Sequence, residues 1–133
     1  MAIVDACGLP LSLYTTSASP HEITLVESTL DATFTHGRPE RIIGDRAYDA
    51  DPLDARLKEE RGIELIAPHR RGRKRKATQD GRVLRRYRRR WKVERFFAWL
   101  NKYKRVITRY DWNINHYNGF LYLAAALIIL RRL

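Results

Sequence analysis

Residues 85 to 103 read RRYRRRWKVERFFAWLNKY, and no Gly or Pro interrupts the chain from about Arg82 to Ile107. Val93, Phe97, Leu100 and Lys104 recur at helical spacing, which predicts one long helix with an apolar face. On that helix Tyr87, Arg90, Glu94 and Asn101 follow one another at intervals of three, four and seven residues. They share one stripe bordering the core. Glu94 is thus a lone carboxylate in an arginine run. From the pattern alone it is either an i,i+4 partner of Arg90, worth only ~0.3–0.5 kcal/mol, or a group placed for chemistry.

The arginines belong to a wider asymmetry. The 133 residues carry a net charge of +11, but residues 1–64 hold 6 Lys/Arg against 12 Asp/Glu, whereas residues 65–133 hold 20 against 3. Fourteen basic residues lie between His69 and Arg95. Such density suits a polyanion whose counterions are released when phosphates are contacted, so double-stranded DNA is the expected partner. A membrane surface is disfavoured because the basic cluster does not share a helix with a broad apolar face. The single cysteine, Cys7, makes no internal disulfide. The apolar run GFLYLAAALIIL has 12 residues, short of the ~20 that span a bilayer. The chain reads as cytoplasmic, associated with the nucleoid through DNA.

Outward from the arginine run, the rest of the chain reads as alternating strands and helices. AIVD at 2–5 and PLSLYTT at 10–16 predict a β-hairpin turning at Gly8. Ser19, Pro20 and Glu22 predict a capped helix through Leu30 that ends before Gly37. RIIGD at 41–45 reads as a short buried strand, and 51–62 as a helix capped by Asp51, begun by Pro52 and stopped by Gly62. IELIAP at 63–68 reads as another strand. Residues 70–81, RRGRKRKATQDG, read as a mobile basic loop, and about 114–133 as an apolar helix buried against the domain or a partner chain. The class is α/β.

A second carboxylate, Asp45, follows the strand in IIGDRAYD, where strand ends in α/β folds place ligands and catalytic groups. It is either a cap of the turn after the strand or a functional acid. Two carboxylates beside a basic DNA-binding surface would suit metal-assisted phosphodiester chemistry, because carboxylates are the hard oxygen ligands that Mg²⁺ requires.

GDRAYDAD followed by YRRRWKVERFFAWLNKYKR resembles the DDE transposases of bacterial insertion sequences, in the insertion-sequence-five group. The resemblance covers nearly the whole chain. It implies an RNase-H-like fold and a Tyr-x2-Arg-x3-Glu-x6-Lys signature around the last acid of a catalytic triad. Tyr87, Arg90 and Glu94 match that signature; its lysine position is Asn101, with Lys102 one residue later. By the same resemblance Asp45 is the second acid and Glu94 the third, together holding Mg²⁺ or Mn²⁺. Arg71, Arg73, Lys74, Arg75 and Lys76 join Tyr87, Arg90, Asn101 and Lys102 as expected DNA contacts. Trp91 and Trp99 read as packing residues ahead of base-stacking ones.

In that family the first catalytic Asp stands on a strand that precedes the hairpin, and this chain begins after it. Asp5, the one acid of the hairpin, reads as a surface turn residue. The expectation is the downstream portion of a transposase catalytic domain: a second reading frame completed by an upstream portion or by self-association, or a decayed remnant, inactive alone. The competing reading is a non-catalytic DNA-binding partner that interferes with full-length transposase. Either reading predicts that affinity for a DNA duplex falls steeply with salt and varies little with base sequence. For about 6–10 phosphate contacts the loss between 50 and 200 mM salt is on the order of 10³–10⁵-fold, measurable by fluorescence anisotropy.

Overall fold

The structure is a computed structural model that describes residues 1–74 and 81–132. The chain divides into two compact units, one of Met1–Ala18, Glu27–Phe34 and Lys92–Leu133, the other of Ser19–Val26 and Thr35–Trp91. The α/β class stands, with two-stranded sheets, one antiparallel and one parallel, among the described residues.

In the first unit β1 (Ala2–Val4) and β2 (Pro10–Leu13) form the expected hairpin, with Ala2 opposite Leu13, Ile3 opposite Ser12 and Val4 opposite Pro10. The turn is fixed by Asp5. Its carboxylate accepts hydrogen bonds from the Cys7 and Leu9 amides at 2.7 and 2.8 Å, and Gly8 takes a left-handed φ of 82°. Pro10 stands at the first residue of its strand, where a missing donor does least harm. The buried Ser12 hydroxyl donates to the Thr29 carbonyl of α1 (Val26–Asp31).

Against Leu13 of the hairpin pack α4 (Trp91–Leu100) and α6 (Ile114–Leu130), which bury Phe96, Leu100, Leu121, Ala124, Ala125 and Ile128. Ala124 and Ala125 leave room for close packing. The α6 start is capped by Asn113, whose side-chain oxygen accepts from the Asn115 amide at 2.9 Å. Its other side is open: Tyr122, Leu123, Leu127 and Leu130 are exposed. The expectation of full burial therefore holds for one face of this helix only. Its predicted last residue, Leu133, lies outside the described residues.

The second unit is a strand, helix, strand arrangement. β3 (Arg41–Ile43) pairs in parallel with β4 (Glu64–Ile66), joined by α2 (Asp51–Arg61), a crossover of the kind that parallel strands need. Leu53 and Leu57 of α2 are buried with Ile63, Leu65, Ile66 and Ala67. Gly62 ends α2 in the left-handed region as expected.

Local competition corrects four expectations. The first helix begins as a 3-10 turn, Glu22–Leu25, capped by His21 and not Ser19, because the His21 ring accepts from the Ile23 amide. Asp51 is not the cap of α2: Ala50 holds that position without a side-chain bond, and the Asp51 carboxylate instead meets Arg73 at 2.6 Å. The strand at 41–45 stops at Ile43 and is only half-buried. The long helix is broken into α3 (Gly81–Leu84), a 3-10 segment Arg85–Arg90, α4, and α5 (Lys104–Ile107). The 3-10 form replaces the i,i+4 pairs Arg85/Arg89 and Arg86/Arg90 with eclipsed i,i+3 pairs, Arg85/Arg88 and Arg86/Arg89, so like-charge repulsion by itself does not account for the break.

Of the predicted apolar face, Leu100 is buried and Val93 half-buried, but Phe97 is 43% exposed and Phe96 takes its place in the core. Phe96→Ala is therefore expected to cost about 3–5 kcal/mol of unfolding free energy in urea titration, and Phe97→Ala clearly less. The opposite order would restore the predicted face.

Candidate functional site

Asp45 sits two residues past β3, at a junction that needs a glycine. A Cβ on Gly44 would come within 2.9 Å of the Tyr48 ring. The Gly44 amide extends the strand pairing by donating to the Ile66 carbonyl at 3.0 Å. The chain then enters a 3-10 turn, Arg46–Tyr48, capped by Asp45, whose Oδ1 accepts from the Ala47 amide at 2.8 Å. The capping role is thus real, and it occupies one oxygen. The other, Oδ2, lies 3.6 Å from Nη1 of Arg90, in an ion pair whose side chains are 38% and 36% exposed. At that exposure the pair contributes on the order of 0.2–1 kcal/mol. Burial, with the carboxylates of Glu22 and Asp45 adding, pushes the Tyr48 hydroxyl up to about 12.

Arg90 also packs over the Tyr87 ring, 5.8 Å from its centroid. Two residues of the signature and the acid at position 45 are therefore neighbours in the second unit. Glu94, Asn101 and Lys102 belong to the first unit, with Glu94 exposed in the opening turn of α4. On either side of it, Lys92 and Arg95 donate to the carbonyls of Ala6 and Cys7 in the hairpin turn, so α4 is tied to that turn. Asn101 and Lys102 are exposed just past α4. Asp5 spends its Oδ1 on the turn amides, as a surface turn residue does.

Of the expected basic contacts, Arg71 and Lys74 are exposed, whereas Arg73 is engaged within its own unit. Its guanidinium pairs with Asp49 at 2.7 Å and Asp51 at 2.6 Å and leaves only 13% of the side chain exposed. Arg70 donates to the carbonyls of Arg46 and Ala47 and, through its amide, to Asp49. The opening residues of the predicted basic loop are thus anchored. Arg75 and Lys76, and the rest of that loop to Asp80, lie outside the described residues.

Sequence reasoning missed this acidic anchor. Asp49 binds His69 Nδ1 at 2.8 Å as well as Arg73, and the acids of DRAYDADPLD preceding the basic PHRRGRK were the signal that pointed to it. Among the described residues no group of three or more His, Cys, Asp or Glu side chains could hold a metal ion. Among them, too, no helix is long and apolar enough to cross a membrane.

Residues 1–129 match a family described as the transposase DDE domain. Over 134 aligned residues the chain is 31% identical to a Burkholderia cepacia protein provisionally named as transposase for insertion sequence element IS402, covering 95% of this chain and 59% of that relative. It is 34% identical to a Brucella ovis protein provisionally named as transposase for insertion sequence element IS6501, covering 98% of this chain and 95% of that relative. The chain therefore spans nearly the full length of one relative and less than two thirds of the other. No solved structure matches it.

The anchor gives the second unit a pH dependence of defined sign. Burial would raise the Asp49 carboxyl, but the Arg70 amide, His69 and the Arg73 charge outweigh burial and hold it below its ordinary value of 3.8. A depressed folded-state value contributes stability that is present above the unfolded value and lost as pH falls through the folded one. The wild-type chain should therefore lose stability as pH drops below about 4, and Asp49→Asn should be less stable at neutral pH with a flatter acid limb. Thermal melts across pH 2–7 check this, and parallel acid limbs would contradict it.

Proposed function

The chain belongs to the transposase DDE-domain family, and from that premise we propose that it serves DNA transposition by metal-dependent phosphodiester cleavage and strand transfer at insertion-sequence ends. The observation that carries this reading is the contact between Arg90 and Asp45. Residues from two stretches far apart in sequence, each read independently as part of the site, are neighbours in the fold. On this reading the domain is RNase-H-like, Asp45 and Glu94 are the second and third acids, and Arg90 and the basic residues after His69 hold DNA phosphates.

A Mg²⁺ or Mn²⁺ ion would supply charge for the attacking and leaving oxygens. Mg²⁺ is commonly held by one or two carboxylates together with substrate phosphates and waters. Asp45 keeps one oxygen clear of its capping bond, which suits such a ligand. Arg90, beside that oxygen, would neutralise it until a cation arrives. Asp5 is read as a turn residue, its Oδ1 accepting from two turn amides, and on that reading the chain by itself is proposed to bind DNA without cleaving it efficiently. The second reading is a non-catalytic DNA-binding partner of an intact transposase, which needs only the basic residues.

The test is cleavage of a transposon-end duplex with Mg²⁺ or Mn²⁺, by the chain as it stands and by the chain joined to the segment its upstream DNA encodes. Activity in the joined form should fall by at least 10²–10³-fold, to order of magnitude, in Asp45→Ala and in Glu94→Ala. Activity retained in either variant would sink the assignment. A joined form that binds duplex and never cleaves would establish the second reading instead.

A further inference from the structure

In the first unit, remote in sequence from the basic stretch after His69, a cavity of about 90 Å³ is lined by Trp99, Lys102, Tyr103, Ile128, Arg131 and Arg132. A water occupies ~30 Å³ in the liquid, so the space is that of about three waters. This is the scale of a tetrahedral oxyanion and well below the ~300 Å³ at which pockets for drug-sized ligands begin.

The lining is cationic. Among the described residues none of Lys102, Arg131 and Arg132 is paired with a carboxylate. Arg132 lies over the Trp99 indole with its guanidinium carbon 3.4 Å from the ring centroid, and Arg95 stacks on the same indole at 4.8 Å. A guanidinium carries N–H donors whose fork matches phosphate oxygens. Two arginines and a lysine thus line a space of phosphate size.

We propose that this cavity is a phosphate-binding subsite that seats one phosphodiester of DNA, using Lys102, Arg131 and Arg132 for charge. The proposal rests on the reading of DNA as the chain's partner and adds a contact point contributed by the end of α6.

The test is duplex binding by anisotropy, without metal, over a range of salt, for the full chain and its variants. Lys102→Gln combined with Arg131→Gln should weaken binding about tenfold near 0.1 M salt and make the plot of log affinity against log salt shallower by about one. Inorganic phosphate should compete with duplex at lower concentration on the wild-type chain than on the double variant. Lys102 is exposed, so Lys102→Gln alone keeps the fold and the test decisive if the double variant melts early. Unchanged slopes in folded variants that still bind duplex would overturn the subsite alone. A wild-type chain that binds no duplex would overturn both the subsite and the reading on which it rests.

Discussion

In the second unit, carboxylates from the acidic half of the chain meet arginines from the basic half. Arg73 is held by Asp49 and Asp51, Arg90 lies beside Asp45, and Arg70 closes on the carbonyls of Arg46 and Ala47. This pairing fixes where the chain goes after β4, which end of α2 is neutralised, and what stands next to the acid at position 45. Each pair is modest because water screens it. Asp49 is the exception in burial, and it accepts from His69, the Arg70 amide and Arg73. The charge asymmetry of the sequence therefore has two uses. Part of the positive charge organises the fold, and the remainder is available to a polyanion.

The elements that could be read from sequence are those in which one residue decides the backbone. Gly8 and Asp5 make the hairpin turn and Gly62 stops α2, with no other group competing for those positions. Reading failed where several residues could do the same job. Ser19 and His21 both precede a helix start, and the imidazole took the bond. Asp51 had the composition of a cap, but Arg73, distant in sequence, claimed its carboxylate. The long uninterrupted helix was the largest error. Absence of Gly and Pro says only that nothing forbids a helix, not that one continuous helix forms. Phe96 and Phe97 are alike in composition, and both can share a face with Leu100, three or four residues on, so only packing against the hairpin and α6 separates them.

The candidate site was legible in parts. Asp45 and Arg90 were each singled out, and their contact is the kind of long-range fact that one-dimensional pattern does not supply. The two readings of Asp45, cap and functional acid, are not exclusive, since a carboxylate has two oxygens and the turn uses one. Arg73 had the same appearance in sequence as Arg71 and Lys74. Only the fold separates a cation spent internally from one left to solvent. Nothing in the sequence sets Arg131 and Arg132 apart, because the cavity that they line is a property of packing.

The 3-10 segment Arg85–Arg90 has a geometric consequence of its own. With about three residues per turn and a rise of ~2.0 Å, it advances roughly 3 Å farther than six residues of α-helix and winds about a third of a turn more. It therefore behaves as a calibrated spacer between Leu84 and Arg90. Substituting its arginines with strong, uncharged helix formers would conserve length in residues while changing length in space. With Arg90 kept and only Arg85, Arg86, Arg88 and Arg89 replaced, the chain would carry Tyr87, Arg90 and Glu94 and yet aim Arg90 away from Asp45. In such a segment composition sets pitch, and pitch sets which side chains are neighbours.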